Sequence, residues 1–206
     1  MAIASSATIT IPKIKKTRML VPIIGTAPLI MHAWSQKAKQ QMLDAQQGKK
    51  KAKEIRDPDA DYRASLYYTQ DGGFGFPVLA FKAATIRAAK LVGVRMTDAR
   101  QMFFMHGDLA ADKSMELAPI IGEPRMREDM VRVGMGGTDL RYRAEFLEWQ
   151  SLLSIEFYES FISQDSLLSL IEFGGESVGI GEWRPEKDGQ NGTFKINDQL
   201  SIETER

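Results

Sequence analysis

The stretch Gly174-Gly175-Glu-Ser-Val-Gly179-Ile-Gly181-Glu-Trp183-Arg184-Pro-Glu-Lys187-Asp-Gly189-Gln-Asn-Gly192 constrains the fold more than any other segment. Six glycines fall in nineteen residues, after a helix pattern and before a strand pattern. Glycine admits positive φ and lets another backbone come close. Interleaved with Trp183, Arg184 and Lys187, these glycines predict a loop that lies against something large and anionic.

The flanking pattern places that loop in a fold. Met19–Ile24 is a short apolar run, a buried strand with Pro22 at a bulge or edge. Ser35 caps a helix to about Gln47, and a basic loop with Lys49, Lys50, Lys51 and Lys53 follows. Residues 30–75 show little apolar periodicity and are expected to be an insertion. Asp57, Asp59 and Asp61 alternate like calcium ligands without the Gly and Glu of such a loop, so they are expected to cap a helix. Phe76-Pro77 opens the clearest helix, 78–92, with Phe81, Ala84, Ala88 and Leu91 as its apolar face. A second short helix is expected over 98–105 and a strand over 117–121. Residues 124–146 read as a hairpin turning near 135–136, with Glu128 across from Arg143. In 151–158, Leu153, Ile155 and Phe157 share one strand face. Ser163 caps a helix carrying Leu167, Leu168, Leu170 and Ile171 and closed by Gly174, and 193–196 is the last strand. The order is strand, insertion, helix, strand, hairpin, strand, helix, strand. It predicts an α+β, ferredoxin-like βαββαβ domain over 1–206, with excursions at 30–75 and 124–146.

Bulk properties narrow the function. The 206 residues contain no cysteine, which excludes disulfides and thiol chemistry. No HExxH, Cys/His cluster or P-loop is present, so neither a metal nor another cofactor is expected. No apolar run has the length of a membrane span, and the first residues lack signal-peptide features. A cytoplasmic protein, in a bacterial host cell, is expected. Net charge is zero, but residues 1–144 hold 23 Lys and Arg against 14 Asp and Glu, whereas 145–206 hold 4 against 13. Such asymmetry marks either a nucleic-acid-binding part or head-to-tail contact between copies, unless the two parts mix in the fold.

Three features of the chain resemble the RAMP superfamily, the ferredoxin-like proteins of CRISPR effector complexes. They are the glycine loop, the motif Phe76-Pro77-Val-Leu-Ala-Phe81-Lys82-Ala-Ala84-Thr-Ile-Arg87, and the pair of excursions, which look like the finger and thumb of the guide-coating backbone subunit. Where that family often has Gly-Ser-Ser after the proline, this chain has Val78-Leu79-Ala80. The sequence also resembles a bacteriophage-encoded member of the superfamily. The resemblance implies a nucleic-acid binder that forms a homo-oligomeric filament.

The residues themselves supply the candidates, and the glycine loop and the Phe76–Arg87 motif agree with the resemblance. Glycine-turn amides at Gly179 and Gly181 suit phosphate oxygens. Lys49, Lys50, Lys51, Lys53, Lys82, Arg87, Lys90, Arg125, Arg127, Arg141, Arg143, Arg184 and Lys187 would neutralise phosphates. Tyr67, Tyr68, Phe74, Tyr142 and Trp183 are candidates for stacking on bases. The leading expectation is a non-catalytic binder of single-stranded RNA or DNA that assembles head to tail. A second is an interaction protein, a phage assembly factor or CRISPR-subunit mimic, contacting a phage or host protein through its acidic last third. A third is an RNA endonuclease with His32 as general base. His106, in His-Gly-Asp108, is expected in a turn.

Overall fold

The structure, a computed structural model, describes residues 14–33, 42–44, 46–48, 56–133 and 137–205. In chain order the elements are β1 (Lys16–Gly25), β2 (Leu29–Met31), α1 (Pro58–Ala64), β3 (Gly75–Pro77), α2 (Val78–Leu91), α3 (Met96–Met102), β4 (Phe103–His106) and β5 (Asp108–Leu109). There follow β6 (Glu116–Ile121), β7 (Pro124–Val133), β8 (Gly137–Phe146), β9 (Gln150–Tyr158), α4 (Gln164–Ser177), β10 (Phe194–Ile196) and β11 (Glu203–Glu205).

β1 is the centre of the main sheet. It pairs antiparallel with β9 from Lys16↔Tyr158 to Ile24↔Gln150. Its other edge takes β10 at Ile23↔Ile196 and β11 at Arg18↔Glu205. β4 pairs antiparallel with the far edge of β9. The core strands therefore lie in the order β10-β1-β9-β4, fourth, first, third and second along the chain. With α2 and α4 as the crossovers, this is the ferredoxin-like arrangement that the sequence predicts. Pro22 lies in the central strand, not at an edge. On one side it faces Leu152, and on the other it falls between the β10 and β11 registers. A residue without an N–H is tolerated where no ladder bond is required.

Period-two alternation builds the core. Met19, Val21 and Ile23 of β1, Leu153, Ile155 and Phe157 of β9, and Phe103 and Met105 of β4 are all buried. Phe81, Ala84 and Ala88 of α2 and Leu167, Leu170 and Ile171 of α4 are buried with them. Trp149 locks one end: its Nε1 donates to Ala27 O at 2.9 Å and its ring meets Phe194 edge-on.

Two helix boundaries differ from expectation. α4 does not close at Gly174 but runs to Ser177, because Gly174 serves packing. A Cβ there would lie 2.9 Å from the Ala84 carbonyl. The helix ends at Gly179, which adopts φ 66° and returns its N–H to Gly174 O at 2.9 Å. The expected helix over 98–105 divides into α3 and β4, so His106 ends a strand rather than lying in a turn.

The hairpin β7–β8 forms a second sheet with β2, through Leu29↔Phe146 and Met31↔Ala144. Its register pairs Arg127 with Arg143 and Glu128 with Tyr142. This is one residue from the expected alignment, because Val133 pairs with Gly137 at the tip. Within the 30–75 segment, Ile30, Met31, Leu66 and Thr69 are buried and Asp57 caps α1 by accepting from Ala60 N. Lys49, Lys50, Lys51 and Lys53, and most of the helix expected from Ser35, lie outside the described residues.

Candidate nucleic-acid interface

The glycine loop is laid against β2 by its backbone. Gly192 N donates to Pro28 O at 2.7 Å, Glu182 N to Ile30 O at 3.1 Å, and Ile180 N to Gly192 O at 2.9 Å. Gly181 has φ 76°, and a Cβ there would meet Ile30 O at 2.6 Å, so a side chain is excluded both by conformation and by space. The amides of Ile180, Glu182 and Gly192 thus hold the loop in place. Beyond Gly181 the loop turns outward at Trp183, which has φ 56° and is 47% exposed.

This anchoring brings together two motifs about a hundred residues apart. Phe76 and Pro77 of β3 and Ala80 and Arg87 of α2 face Gly179, Gly181, Glu182 and Arg184 across a cleft of about 240 Å³, with His32, Tyr67 and Ile180 completing the wall. Arg87 and Arg184 converge on one carboxylate, Glu186, at 2.6 Å and 2.9 Å. Arg184 also donates to Gly181 O at 3.0 Å. Burial pushes the Tyr67 phenol up, so it remains a proton donor at neutral pH.

His32 is shared with a second, adjoining basin of about 370 Å³ between α1 and β8. Its walls carry Arg56, Asp61, Ser65, Asp139, Arg141, Tyr142 and Arg143. Arg56 pairs with Asp61 and Asp139, which holds the Asp139 carboxyl below its usual range. Between the cavities, His32 Nδ1 lies 3.6 Å from Glu182 Oε1. That contact, reinforced by the charges of Arg143 and Arg141, holds Glu182 below the usual carboxylate range against the opposing effect of burial.

The other sequence candidates are dispersed. Lys82 is not with Arg87: its ammonium lies over the Phe104 ring at 4.7 Å, and burial lowers its pKa. Lys90 and Lys187 are exposed and line neither cavity. Arg125 and Arg127 both bond Glu145, and Arg127 also bonds Asp129. Tyr67, Tyr68 and Phe74 pack their rings on other core aromatics, whereas Arg56 lies over the Tyr142 ring. The two charged parts of the chain also interleave. Lys16 bonds Glu156 at 2.7 Å, Lys15 reaches Glu159 at 3.5 Å, and Arg18 pairs in register with Glu156 and Glu205.

Sequence reasoning missed Arg56, Glu182 and Glu186 as parts of the site. The alternation Asp139-x-Arg141-x-Arg143-x-Glu145 was the available signal for the basin, since period two puts all four on one strand face. Among the described residues, no group of three His, Asp or Glu side chains is placed to hold a metal ion, and no helix is long and apolar enough to cross a membrane.

No protein-family model matches the chain, and no curated protein matches it. Among solved structures, the crystal structure of Cmr6 from Pyrococcus furiosus is similar over 90% of this chain and 100% of that one, with a TM-score of 0.44 and 7% identity.

Proposed function

We propose that this protein is a non-catalytic binder of single-stranded nucleic acid, RNA or DNA. The observation that carries the reading is the convergence of the Phe76-Pro77 helix entrance and the glycine loop on one cleft. His32 joins that cleft to a basin with three arginines. The strand lies along this path, with Trp183 exposed beside it for base stacking. Most of the cations are paired internally, so phosphates must displace carboxylates. The partly exposed pair of Arg87 with Glu186 is worth only about 0–1 kcal/mol, so a phosphate can outcompete it. The test is a titration of labelled single-stranded RNA and DNA at rising salt. Affinity should fall with a log–log slope of about −2 if three phosphates are engaged. Binding of neither strand at low salt overturns the reading.

Head-to-tail assembly is supported by two unlike apolar surfaces on one chain. The hairpin presents Met126, Met130 and Leu140, with Met130 73% exposed. A groove of about 580 Å³ is walled by Val92, Val94, Met102, Phe161, Ile162 and Phe173. The hairpin of one copy seated in the groove of the next is a heterologous contact, which builds a ring or a filament rather than a two-fold dimer. Met130→Asp should then abolish any concentration-dependent increase in sedimentation. If the parent chain sediments as a monomer at all concentrations, the assembly reading fails.

The interaction-protein reading is favoured by one observation, the pairing of Arg87, Arg125, Arg127 and Arg184 within the chain. Purification with a bound protein and no absorbance at 260 nm would select it.

A further inference from the structure

The basin between α1 and β8 is lined by Arg143, whose guanidinium the described residues satisfy only in part. The Arg143 side chain is 3% exposed, yet its Nε has no hydrogen-bond partner among the described residues. Buried N–H groups are nearly always paired, and an orphan calls for an explanation such as an absent ligand. Arg143 is also loosely held. Its ion pair to Asp129 Oδ2 is 3.4 Å long, and Asp129 is bonded more closely, at 2.8 Å, by Arg127. Arg141, two residues away on the same strand face, reaches Asp139 only at 3.7 Å. Asp139 itself is engaged by Arg56. Three guanidiniums thus line a space bordered by two carboxylates, Asp61 and Asp139, and the two that come from β8 are the weakly committed ones.

We propose that this basin binds a phosphate group with its attached nucleoside, held by Arg141 and Arg143. Guanidinium forks match phosphate oxygens. A space of about 370 Å³ exceeds what a phosphate alone requires and falls within the range of small-molecule sites. Tyr142, which also lines it, supplies an aromatic wall. The phosphate comes either from a phosphorylated strand end or from a free mononucleotide. The strand-end source rests on the proposed function; the mononucleotide source does not.

Calorimetric titration of the intact protein with uridine 5′-monophosphate and with uridine tests this. The nucleotide should bind saturably and the nucleoside at least about tenfold more weakly, as expected where a charged contact is lost. Arg143→Met risks misfolding, because Arg143 is buried against Asp129. Arg141→Ala is the safer variant and should weaken the nucleotide by at least about fivefold. Single strands of about a dozen nucleotides, with a 5′-phosphate, a 3′-phosphate or neither, identify the source. A preference for a phosphorylated end that Arg141→Ala removes assigns the strand end. Nucleotide binding without that preference assigns the free mononucleotide. If uridine and its monophosphate behave alike, or neither binds, the proposal is overturned, even where strands bind and the proposed function survives. If the monophosphate binds and no strand does, the basin stands and the strand-binding reading falls.

Discussion

Arg87 Nε lies 2.6 Å from Glu186 Oε1, which ties the middle of α2 to the 3₁₀ turn within the glycine loop. Arg184 joins the same carboxylate. One acidic side chain therefore pairs with both arginines that border the cleft, offsetting one of their two charges. Glu186→Gln removes that competitor while leaving the backbone bond from Glu186 N to Val178 O in place. An exposed pair is worth about 0–1 kcal/mol, so single-strand affinity should rise by up to about fivefold. Arg87→Ala should lower it by a similar factor. Unchanged affinity in both variants would remove this cleft from the interface.

Gly174 is required by packing rather than by φ. A Cβ there meets the Ala84 carbonyl carbon and oxygen and the Thr85 nitrogen at 2.9 Å, all backbone atoms of the facing helix. Backbone cannot yield as a flexible side chain does, so Gly174→Val should destabilise the chain by about 1–3 kcal/mol. The comparison is Gly73→Ala, where the new Cβ meets only side-chain atoms, the nearest at 3.1 Å. A urea midpoint that falls for Gly174→Val and holds for Gly73→Ala confirms the helix contact. Equal midpoints refute it.

The same glycine shows what the sequence revealed and what it hid. The alternation of Leu153, Ile155 and Phe157 and the Ser163 cap are local signals, and both appear in the structure as read. By sequence alone Gly174 marks a helix stop, because glycine commonly ends helices. Its actual reason is Ala84, ninety residues earlier, which no local pattern reports. The arginines were legible as a basic set. The pairings of Arg87 with Glu186, Arg56 with Asp139 and Arg125 with Glu145 were not, because they form through tertiary contacts or cross-strand register. The hairpin was legible, but its alignment depends on the tip, and a shift of one residue replaces the expected pair Glu128 with Arg143 by Arg127 with Arg143.

Carboxylates held below their ordinary range make stability depend on acid pH, among them Asp139, Glu145 and Glu182. Arg56 holds Asp139 low. Burial raises Glu145, but Arg127 and Arg125 outweigh it and leave it low. His32 holds Glu182 low. A folded-state pKa below the unfolded one means stability that is fully present above the ordinary values, 3.8 for Asp and 4.5 for Glu, and lost as pH falls through the folded values. The urea midpoint should be nearly flat from pH 7 to about 5 and then decline toward pH 3. Glu145→Gln should reduce the slope of that decline while costing stability at pH 7, because it leaves Arg127 with one partner fewer. A midpoint that rises on acidification contradicts the assignment.

His32 is the remaining test of the non-catalytic reading. A general base that cleaves RNA must accept a proton from a hydroxyl within hydrogen-bond reach. In this cleft the imidazole is 43% exposed, with Nδ1 turned toward Glu182, and the neighbouring cations Arg87 and Arg184 are engaged by Glu186. Tyr67 is kept protonated by burial and cannot serve as the base. His32 nevertheless lines both cavities, so it sits where a strand would pass from one to the other. His32→Ala should therefore weaken strand binding by about two- to fivefold, the loss of one hydrogen bond, without altering the integrity of the RNA. The measurement is labelled single-stranded RNA incubated with parent and variant and resolved by length. Equal, undegraded bands with reduced affinity fit a binding role. Cleavage by the parent that His32→Ala abolishes would make this chain an endonuclease.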